Sequence, residues 1–418
     1  MALLSPWKRT YWSVYAANLI TAIGMMSFLP FFPSYLESLG VEDRGALATW
    51  TGVTFGAAPL AAAFMGPIWG SIGDRYSRKL MVLRAMIAIT LFVGAMSVVR
   101  SPWELLALRL CQGVFSGFVP PSVTLVSVGA PADVQGRITG SLQGSLAVGS
   151  ILGPLFGAFM QEHFGMRNVF LCVSVLAGTG ALLVALFAHE DRTLDEVVES
   201  WSPTSLLAHA WSDLQLALST REVRSALLVL FCVQFGMGST NPQMELFVRD
   251  VWEGDPELVP RMTGFAVTAF ALASLVAMPG WGRYGDRVGH TRALLICSLL
   301  GALVLGLHAL ATAYALVVGL RLILGLTLPG SNSTSFGVVA TATPVERRGS
   351  AMGAAFSARA FAMSFGAMGG GALAGVLGLR GLFLASATMV LIGLTLSQAQ
   401  IGQRTQDVVG MDGAGRDK

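Results

Sequence analysis

Charged side chains lie well inside stretches of the sequence that are otherwise apolar, among them Arg109, Glu245, Arg321 and Arg359. An ionised group in hydrocarbon costs about 2.5–3.5 kcal/mol even on lenient scales, so such residues turn inward and mark ion or substrate pathways. A carboxyl group can also bind and release a proton, which makes Glu245 the leading candidate for a proton site or a contact for a cationic substrate. The alternative is a solvated carboxylate at the outer rim, since Glu245 lies near the end of its stretch.

Arg359 could neutralise an anionic substrate or pair with a carboxylate. The alternative is that its long side chain extends to the nearby membrane surface. Both interpretations stay open from the sequence.

The elements that position these residues come from a duplicated chain. The segment Gly70–Arg75 (GSIGDR) returns as Gly282–Arg287 (GRYGDR), and the same offset relates Arg109 to Arg321. Two parallel halves rich in Gly and Pro are typical of carriers whose binding site lies between repeats. Glu245 breaks the repeat, because Pro33 stands at its matching position.

Composition places most of the chain in lipid. Hydrophobic residues make up 54% of the sequence and charged residues 12%, against about 25% charged in soluble proteins. Twelve apolar stretches are each long enough to cross about 30 Å of hydrocarbon as a helix. They lie at about 11–33, 46–70, 80–99, 103–128, 138–160, 169–188, 226–248, 263–282, 293–312, 314–340, 350–376 and 380–400. The predicted fold is an all-α membrane protein with twelve transmembrane helices in two six-helix repeats.

Most of the 27 Lys and Arg residues fall on the side of the membrane that holds both termini. This bias predicts cytoplasmic termini, and the scattered basic residues do not indicate nucleic-acid binding. The predicted location is a bacterial cytoplasmic membrane. The four cysteines lie in different stretches without metal-ligand spacing, so we expect no metal and no cofactor.

The sequence divides into an N-terminal half at 1–188, a polar linker at 189–225, a C-terminal half at 226–400 and a tail at 401–418. The linker carries an amphipathic pattern that predicts a helix at the cytoplasmic surface, and a solvated helix without membrane contact is equally compatible. The tail is polar and Gly-rich, which predicts disorder.

The loop after the second stretch resembles the signature G-x-x-x-D-R-x-G-R-R/K of the Major Facilitator Superfamily, and the resemblance covers nearly the whole chain. The match comprises Gly70, Asp74, Arg75, Arg78 and Lys79, with Ser77 where the family has Gly; Asp286 and Arg287 belong to the second copy. The resemblance implies a conformational switch in which a carboxylate such as Asp74 sits against a helix N-terminus. The alternative for the basic residues is that they only enforce topology.

Two further motifs narrow the resemblance. Arg109, Gln112 and Gly113 match R-x-x-Q-G, whose Arg the family links to proton coupling; the alternative is an Arg that bonds carbonyls and only fixes span four to span one. Span five resembles the G-x-x-x-G-P-x-x-G motif of drug:proton antiporters, with Ala158 where a further Gly is usual. Its residues are Gly149, Gly153, Pro154 and Gly157.

A substrate cavity at mid-membrane would draw on polar points and aromatic walls within the spans. Such residues are more often packing and interhelical contacts than ligands. The candidates are Asn18, Gln143, Gln234, Asn241, Asn332, Phe28, Phe31, Phe115, Phe235, Phe361 and Arg359.

Together these features predict a monomeric, proton-coupled exporter of small amphipathic or drug-like molecules. The alternative within transport is a dedicated exporter of one metabolite, such as a siderophore or a sugar. From another class, a membrane receptor or enzyme on the same fold remains, although no P-loop, zinc motif or nucleophile elbow is present to support catalysis.

Overall fold

The computed structural model describes residues 5–190, 220–344 and 348–414, without the side chains of residues 67, 70, 71, 74, 75, 132, 349, 350 and 400–414. Within these ranges all regular structure is helical. The helices are α1 (Pro6–Phe28), α2 (Phe32–Ser38), α3 (Arg44–Arg75), α4 (Arg78–Ala95), α5 (Pro102–Phe115), α6 (Val119–Gly129), α7 (Gln135–Phe164), α8 (Met166–Phe187), α9 (Arg221–Thr240), α10 (Met244–Val251), α11 (Val259–Val288), α12 (His290–Leu307), α13 (Tyr314–Thr327), α14 (Gly330–Ala342) and α15 (Arg348–Ala414).

Eleven helical stretches of the described chain are long and apolar enough to cross a membrane. The last of them, Ala351–Ala399, has 49 residues and contains a break at Gly378, where φ is +71°. At about 1.5 Å per residue it is long enough for two crossings of a bilayer of about 30 Å. The chain therefore crosses twelve times, as predicted. Because this number is even, the start of the first crossing and the end of the last lie on one face, which we call the terminal side. The opposite face is the closed side, for reasons given below.

Broken helices occur at matching places in the two halves. In span one, α1 and α2 are separated by a single turn of 3-10 helix around Pro30, and in span seven α9 and α10 are separated around Pro242. A proline lacks the N–H that continues a helix, so the break follows from the residue type. Span four breaks at Gly117 and span ten at Pro329. Interrupted spans at corresponding positions of two repeats are where carriers build their binding sites.

The aromatic cores of the two halves also match. In the first half the ring of Tyr35 lies 4.8 Å from the ring of Phe170, and in the second half the ring of Phe247 lies 4.7 Å from that of Phe383. All four side chains are buried. The duplication seen in the sequence is thus also present in the packing of each half.

Repeated glycines allow spans to touch backbone to backbone. A Cβ added at Gly113 in span four would overlap the carbonyl oxygen of Ala58 in span two, and one at Gly325 in span ten would lie 2.5 Å from the carbonyl oxygen of Phe270 in span eight. Small residues at such crossings let membrane helices gain dispersion contacts. The glycine of the span-four motif therefore has a packing function.

The predicted linker lies mostly outside the described residues. The last helix is traced to Ala414 and so includes much of the predicted tail. The division into two halves, linker and tail stays a prediction.

We expect Gly113→Ala to lower the thermal unfolding temperature of the purified protein, because the new methyl group overlaps the Ala58 carbonyl. Gly319→Ala is the matched control, since nothing lies within 4 Å of its added Cβ. Ala favours a helix over Gly by up to about 1 kcal/mol, so the control should unfold at the same or a higher temperature. Equal melting temperatures for the two variants would contradict this account of the crossing.

Candidate functional site

The two halves touch on the side opposite the termini. Spans two and eleven meet at Gly45 and Gly375, and a Cβ added at Gly45 would lie 3.5 Å from the Cα of Gly375. Further along, a Cβ at Gly371 would lie 2.5 Å from the carbonyl oxygen of Ala48. Spans five and eight meet where Thr268 Oγ1 donates a 3.0 Å hydrogen bond to the carbonyl oxygen of Ile151. The backbones of the two halves thus meet on this face.

Toward the terminal side, spans two and eleven touch through side chains and no longer through their backbones. The ring of Phe64 in span two lies 5.2 Å from that of Phe361 in span eleven, and Phe64 is 62% exposed. On spans five and eight, nothing lies within 4 Å of a Cβ added at Gly140 or Gly280. In the described part of the chain, the backbone-to-backbone contacts between the halves thus lie on the closed side, and the packing is looser toward the terminal side, which we also call the open side.

Glu245 lies at the closed side and joins the halves. Its side chain is fully buried, and Ser34 of span one donates to it twice: from its amide at 3.2 Å to Oε2 and from its hydroxyl to Oε1. Arg249, one turn later in α10, donates from Nη2 to Oε1 at 2.9 Å. The break at Pro242 places Glu245 in the first turn of α10, where the helix dipole favours a carboxylate. Glu245 is therefore neither solvated nor open to the terminal side.

Arg249 extends this network across the halves. Its Nη1 donates to Glu37 of span one at 2.9 Å, and its Nη2 also reaches Ser34 Oγ at 3.0 Å. We call Ser34, Glu37, Glu245 and Arg249 the closed-side lock.

Three more polar contacts cross the interface on the same face. Arg44 pairs with Asp250, and Arg261 donates to Glu162 at 2.6 Å and 3.1 Å. Gln243 is buried and donates from Nε2 to the carbonyl oxygen of Ala48 at 2.9 Å.

Sequence reasoning identified Glu245 but missed its partners. Arg249 could have been found, because Glu and Arg four residues apart share one face of a helix. Ser34 and Glu37 lie in the other half, and no local pattern points to them.

Arg109 is buried and bonded to span two. Its Nε donates to the carbonyl oxygen of Thr54 at 3.0 Å and its Nη2 to that of Phe55 at 3.1 Å, while Nη1 reaches Gln112 Oε1 at 2.6 Å. The guanidinium also lies 5.3 Å from the ring of Phe32. The alternative interpretation was that Arg109 fixes span four to span one. Its hydrogen bonds go to span two instead, and its contacts with span one are to aromatic rings.

Arg321, the repeat of Arg109, has fewer hydrogen bonds. It donates from Nη1 to Asn241 Oδ1 at 3.0 Å, and its Nε and Nη2 have no hydrogen-bond partner among the described residues. Asn241 thus binds the second arginine, and the two halves hold their arginines differently.

The glycines of the span-five motif pack against span one. A Cβ added at Gly149 would strike Ala22, one at Gly153 would lie 2.8 Å from the carbonyl oxygen of Ile23, and one at Gly157 would overlap the carbonyl of Ser27. Pro154 points the other way, and its carbonyl oxygen lies 3.0 Å from a Cβ added at Gly264 of span eight. The motif therefore joins a contact within the first half to a contact between the halves.

The predicted cavity residues are not all brought together. Asn18 pairs with Ser122 at 3.1 Å, and Gln234 donates to Asn332 at 2.6 Å. Phe28 and Phe31 are fully buried in the core of the first half, so they do not line an open cavity in this structure.

The remaining cavity candidates lie in more open surroundings. Phe115 packs near Trp69 and Phe92 within the first half, and Phe235 stacks near Phe231. Gln143 is exposed, whereas Arg359 and Phe361 are partly buried on span eleven near the open side.

The signature loop shows a carboxylate that the sequence did not reveal. The side chains of Gly70, Asp74 and Arg75 lie outside the described residues. At the start of α4, the carboxylate of Glu190 accepts from the Ser77 hydroxyl and from the amide of Arg78 at 2.7 Å. In the second copy, Asp286 lies 3.4 Å from His290 Nε2, while Arg287 is exposed.

Comparison with known proteins settles the family. The sequence profile of the Major Facilitator Superfamily matches residues 14–251 and 226–400. The chain belongs to this superfamily. It is therefore a multi-pass membrane transporter of small molecules and not an enzyme.

The relatives are similar over most of their length. The chain is 31% identical to the multi-drug resistance efflux pump PmrA of Streptococcus pneumoniae, over 92% of this chain and 94% of that one. It is also 31% identical to the multidrug resistance protein MdtG of Proteus mirabilis, over 76% of this chain and 77% of that one. A crystal structure of the nucleoside transporter NupG shares the fold, with a TM-score of 0.75 at 13% identity, covering 94% of this chain and 99% of that one.

The closed-side lock predicts that substituting Arg249 opens the closed side more than substituting Arg44 does. Spin labels at Glu42 and Glu253, both exposed there, should report opening of this side. We expect Arg249→Gln to raise about tenfold the population of molecules in which the closed side has opened. This increase is smaller than the one expected from the ~3–5 kcal/mol cost of breaking a fully buried ion pair. The reason is that Arg249 is 30% exposed.

Arg44→Gln is the control, because its ion pair with Asp250 is 64% exposed on the Arg44 side and such pairs contribute at most about 1 kcal/mol. The closed side should open no more than about fivefold in that variant. Equal effects of the two substitutions would refute the lock.

Proposed function

We propose that the protein is a proton-driven exporter that carries small, amphipathic or drug-like molecules out of a bacterial cytoplasm by alternating access. The observation that supports this most directly is the difference in packing between the two sides of the interface, with backbone contacts and hydrogen bonds between the halves on the closed side and looser packing on the terminal side. A carrier with such an interface takes up its cargo on the open side and releases it after the halves rock. The similarity to PmrA and MdtG favours multidrug efflux over other cargoes.

The open side is assigned to the cytoplasm from the distribution of charge. Arg75, Arg78, Lys79, Arg283 and Arg287 all lie at the ends of spans on the terminal side. Cytoplasmic loops carry such an excess of Lys and Arg. Loading from the cytoplasm is what an exporter requires.

Protonation of Glu245 would weaken the closed-side lock. The bonds from Ser34 and Arg249 suit an ionised Glu245, and a proton on this carboxylate would remove the charge that Arg249 neutralises. We propose that Glu245 takes up a proton from the outside while the closed side is open, and keeps it while the halves rock. It releases the proton toward the cytoplasm as the terminal side opens, and the ionised carboxylate then restores the lock. Arg109 holds spans two and four together around this step.

A second candidate is export of a single anionic metabolite, and it rests on Arg359. This arginine lies on span eleven near the open side. No carboxylate among the described side chains forms an ion pair with it. Arg359→Gln should then abolish transport of the anion, whereas a multidrug exporter would keep transporting cationic compounds.

The topology can be checked by labelling single cysteines in intact cells. Gly140→Cys has open space around it on the terminal side, and Glu257→Cys is exposed on the closed side. A membrane-impermeant reagent should label the second from outside and the first only after the cells are opened. Labelling of both from outside would contradict the cytoplasmic assignment.

Coupling is tested with Glu245→Gln in liposomes that carry a pH gradient. The neutral amide keeps the shape of the side chain but cannot exchange a proton, so uphill accumulation of drug should fall at least about tenfold while downhill exchange continues. Glu162→Gln is the control, because Glu162 pairs with Arg261 at the same face without a buried lock. Undiminished drug-driven proton movement in Glu245→Gln would place the coupling elsewhere.

A further inference from the structure

The end of span six and the start of span three hold each other in a reciprocal clamp. Glu190, just after α8, accepts hydrogen bonds from the Ser77 hydroxyl, the Arg78 amide at 2.7 Å and the Lys79 amide at 3.3 Å. In return, Lys79 Nζ donates to the carbonyl oxygens of Ala185 at 2.8 Å and Ala188 at 2.7 Å. A carboxylate thus covers the N-terminus of α4, and an ammonium covers the C-terminus of α8.

Each half of the clamp satisfies groups that a helix leaves open at its ends. The first amides of α4 and the last carbonyls of α8 have no partner within their own helix. The charges also have the favourable sign, with an anion at the N-terminus and a cation at the C-terminus. Ser77 strengthens the arrangement, because its hydroxyl oxygen also accepts from the amide of Leu80 at 3.0 Å.

The clamp fixes the point where the chain leaves the first half. The amide of His189 donates to Thr10 Oγ1 at 2.8 Å, and Thr10 Oγ1 in turn donates to the carbonyl oxygen of His189 at 3.0 Å. Residues 189 and 190 are therefore tied both to α1 and to the loop between spans two and three. All of these contacts lie inside the first half, and they form while the terminal side is open.

We propose that Glu190 is a positioning residue of the transport cycle, which holds the signature loop on its own half and thereby stabilises the state with an open terminal side. When the Glu190 carboxylate is lost, the amides of Arg78 and Lys79 lose their acceptor and become available to the second half, and Lys79 Nζ alone still holds the end of α8. The carrier then shifts toward the state in which the terminal side is closed. Drug affinity should stay the same, because the clamp does not touch the space between the halves.

The test measures conformation and transport on the same variants. Spin labels at Gly140 and Gly280, one in each half on the open side, should report a shorter distance when this side closes. In Glu190→Gln we expect the short-distance population to rise about three- to tenfold, with a similar fall in turnover and an unchanged KM. Asp133→Asn, an exposed carboxylate on the same side, is the control and should change neither quantity.

Conservative variants separate positioning from folding. Glu190→Asp keeps the charge and should restore part of the open population, and Ser77→Ala removes one bond of the clamp and should give a smaller shift in the same direction. If Glu190→Gln does not accumulate in the membrane, these two variants carry the test. An unchanged distance distribution in Glu190→Gln, or in both conservative variants, would overturn the proposal even if turnover fell.

Discussion

A carboxylate buried at the interface between two halves has to find donors and a cation, and Glu245 finds them on both sides of that interface. Ser34 belongs to the first half and Arg249 to the second. Desolvating such a pair is costly, so it is stable only when the geometry is good and the remaining donors are used. The closed side of the molecule depends on this condition, because a motion that separates the halves there takes Ser34 away from Glu245 and Glu37 away from Arg249.

A departure from the duplication explains why the buried carboxylate of the lock comes from the second half. Both copies break their first span at a proline, Pro30 or Pro242, and start a short helix directly after it. In the first half that helix carries Pro33 and Ser34, whereas in the second it carries Glu245 at the position of Pro33. One half therefore supplies the hydroxyl and the amide, and the other supplies the charge. Two identical halves would place like groups against each other.

The sequence was sufficient for the fold and the family. Twelve crossings, two repeats and the membership of the superfamily are confirmed, because hydropathy, the repeated GDR segments and the loop motif are all local patterns. The faces of the helices were harder to predict. Phe28 and Phe31 were expected at a cavity and lie in a core, since a span that is apolar all round gives little indication of which face is turned inward.

Contacts between distant segments could not be predicted from one sequence. Glu190 directly follows span six, and only the fold brings it to the start of span three. The motif predicts a carboxylate at a helix N-terminus for Asp74, whose side chain lies outside the described residues, and this stays a prediction. The same limit applies to Ser34. Nothing in the sequence around it indicates a contact with Glu245, which only the packing of the second half creates.

The central claim is that one interface opens as the other closes. It is tested most directly by measuring two distances between spin labels in a transporter that carries no other substitution. One pair of labels is at Glu42 and Glu253 on the closed side, and the other is at Gly140 and Gly280 on the terminal side. We expect every condition that lengthens the first distance, whether a transported drug or an acidic exterior, to shorten the second in the same fraction of molecules. Transport that continues while both distances stay fixed, or both lengthen together, would contradict the account.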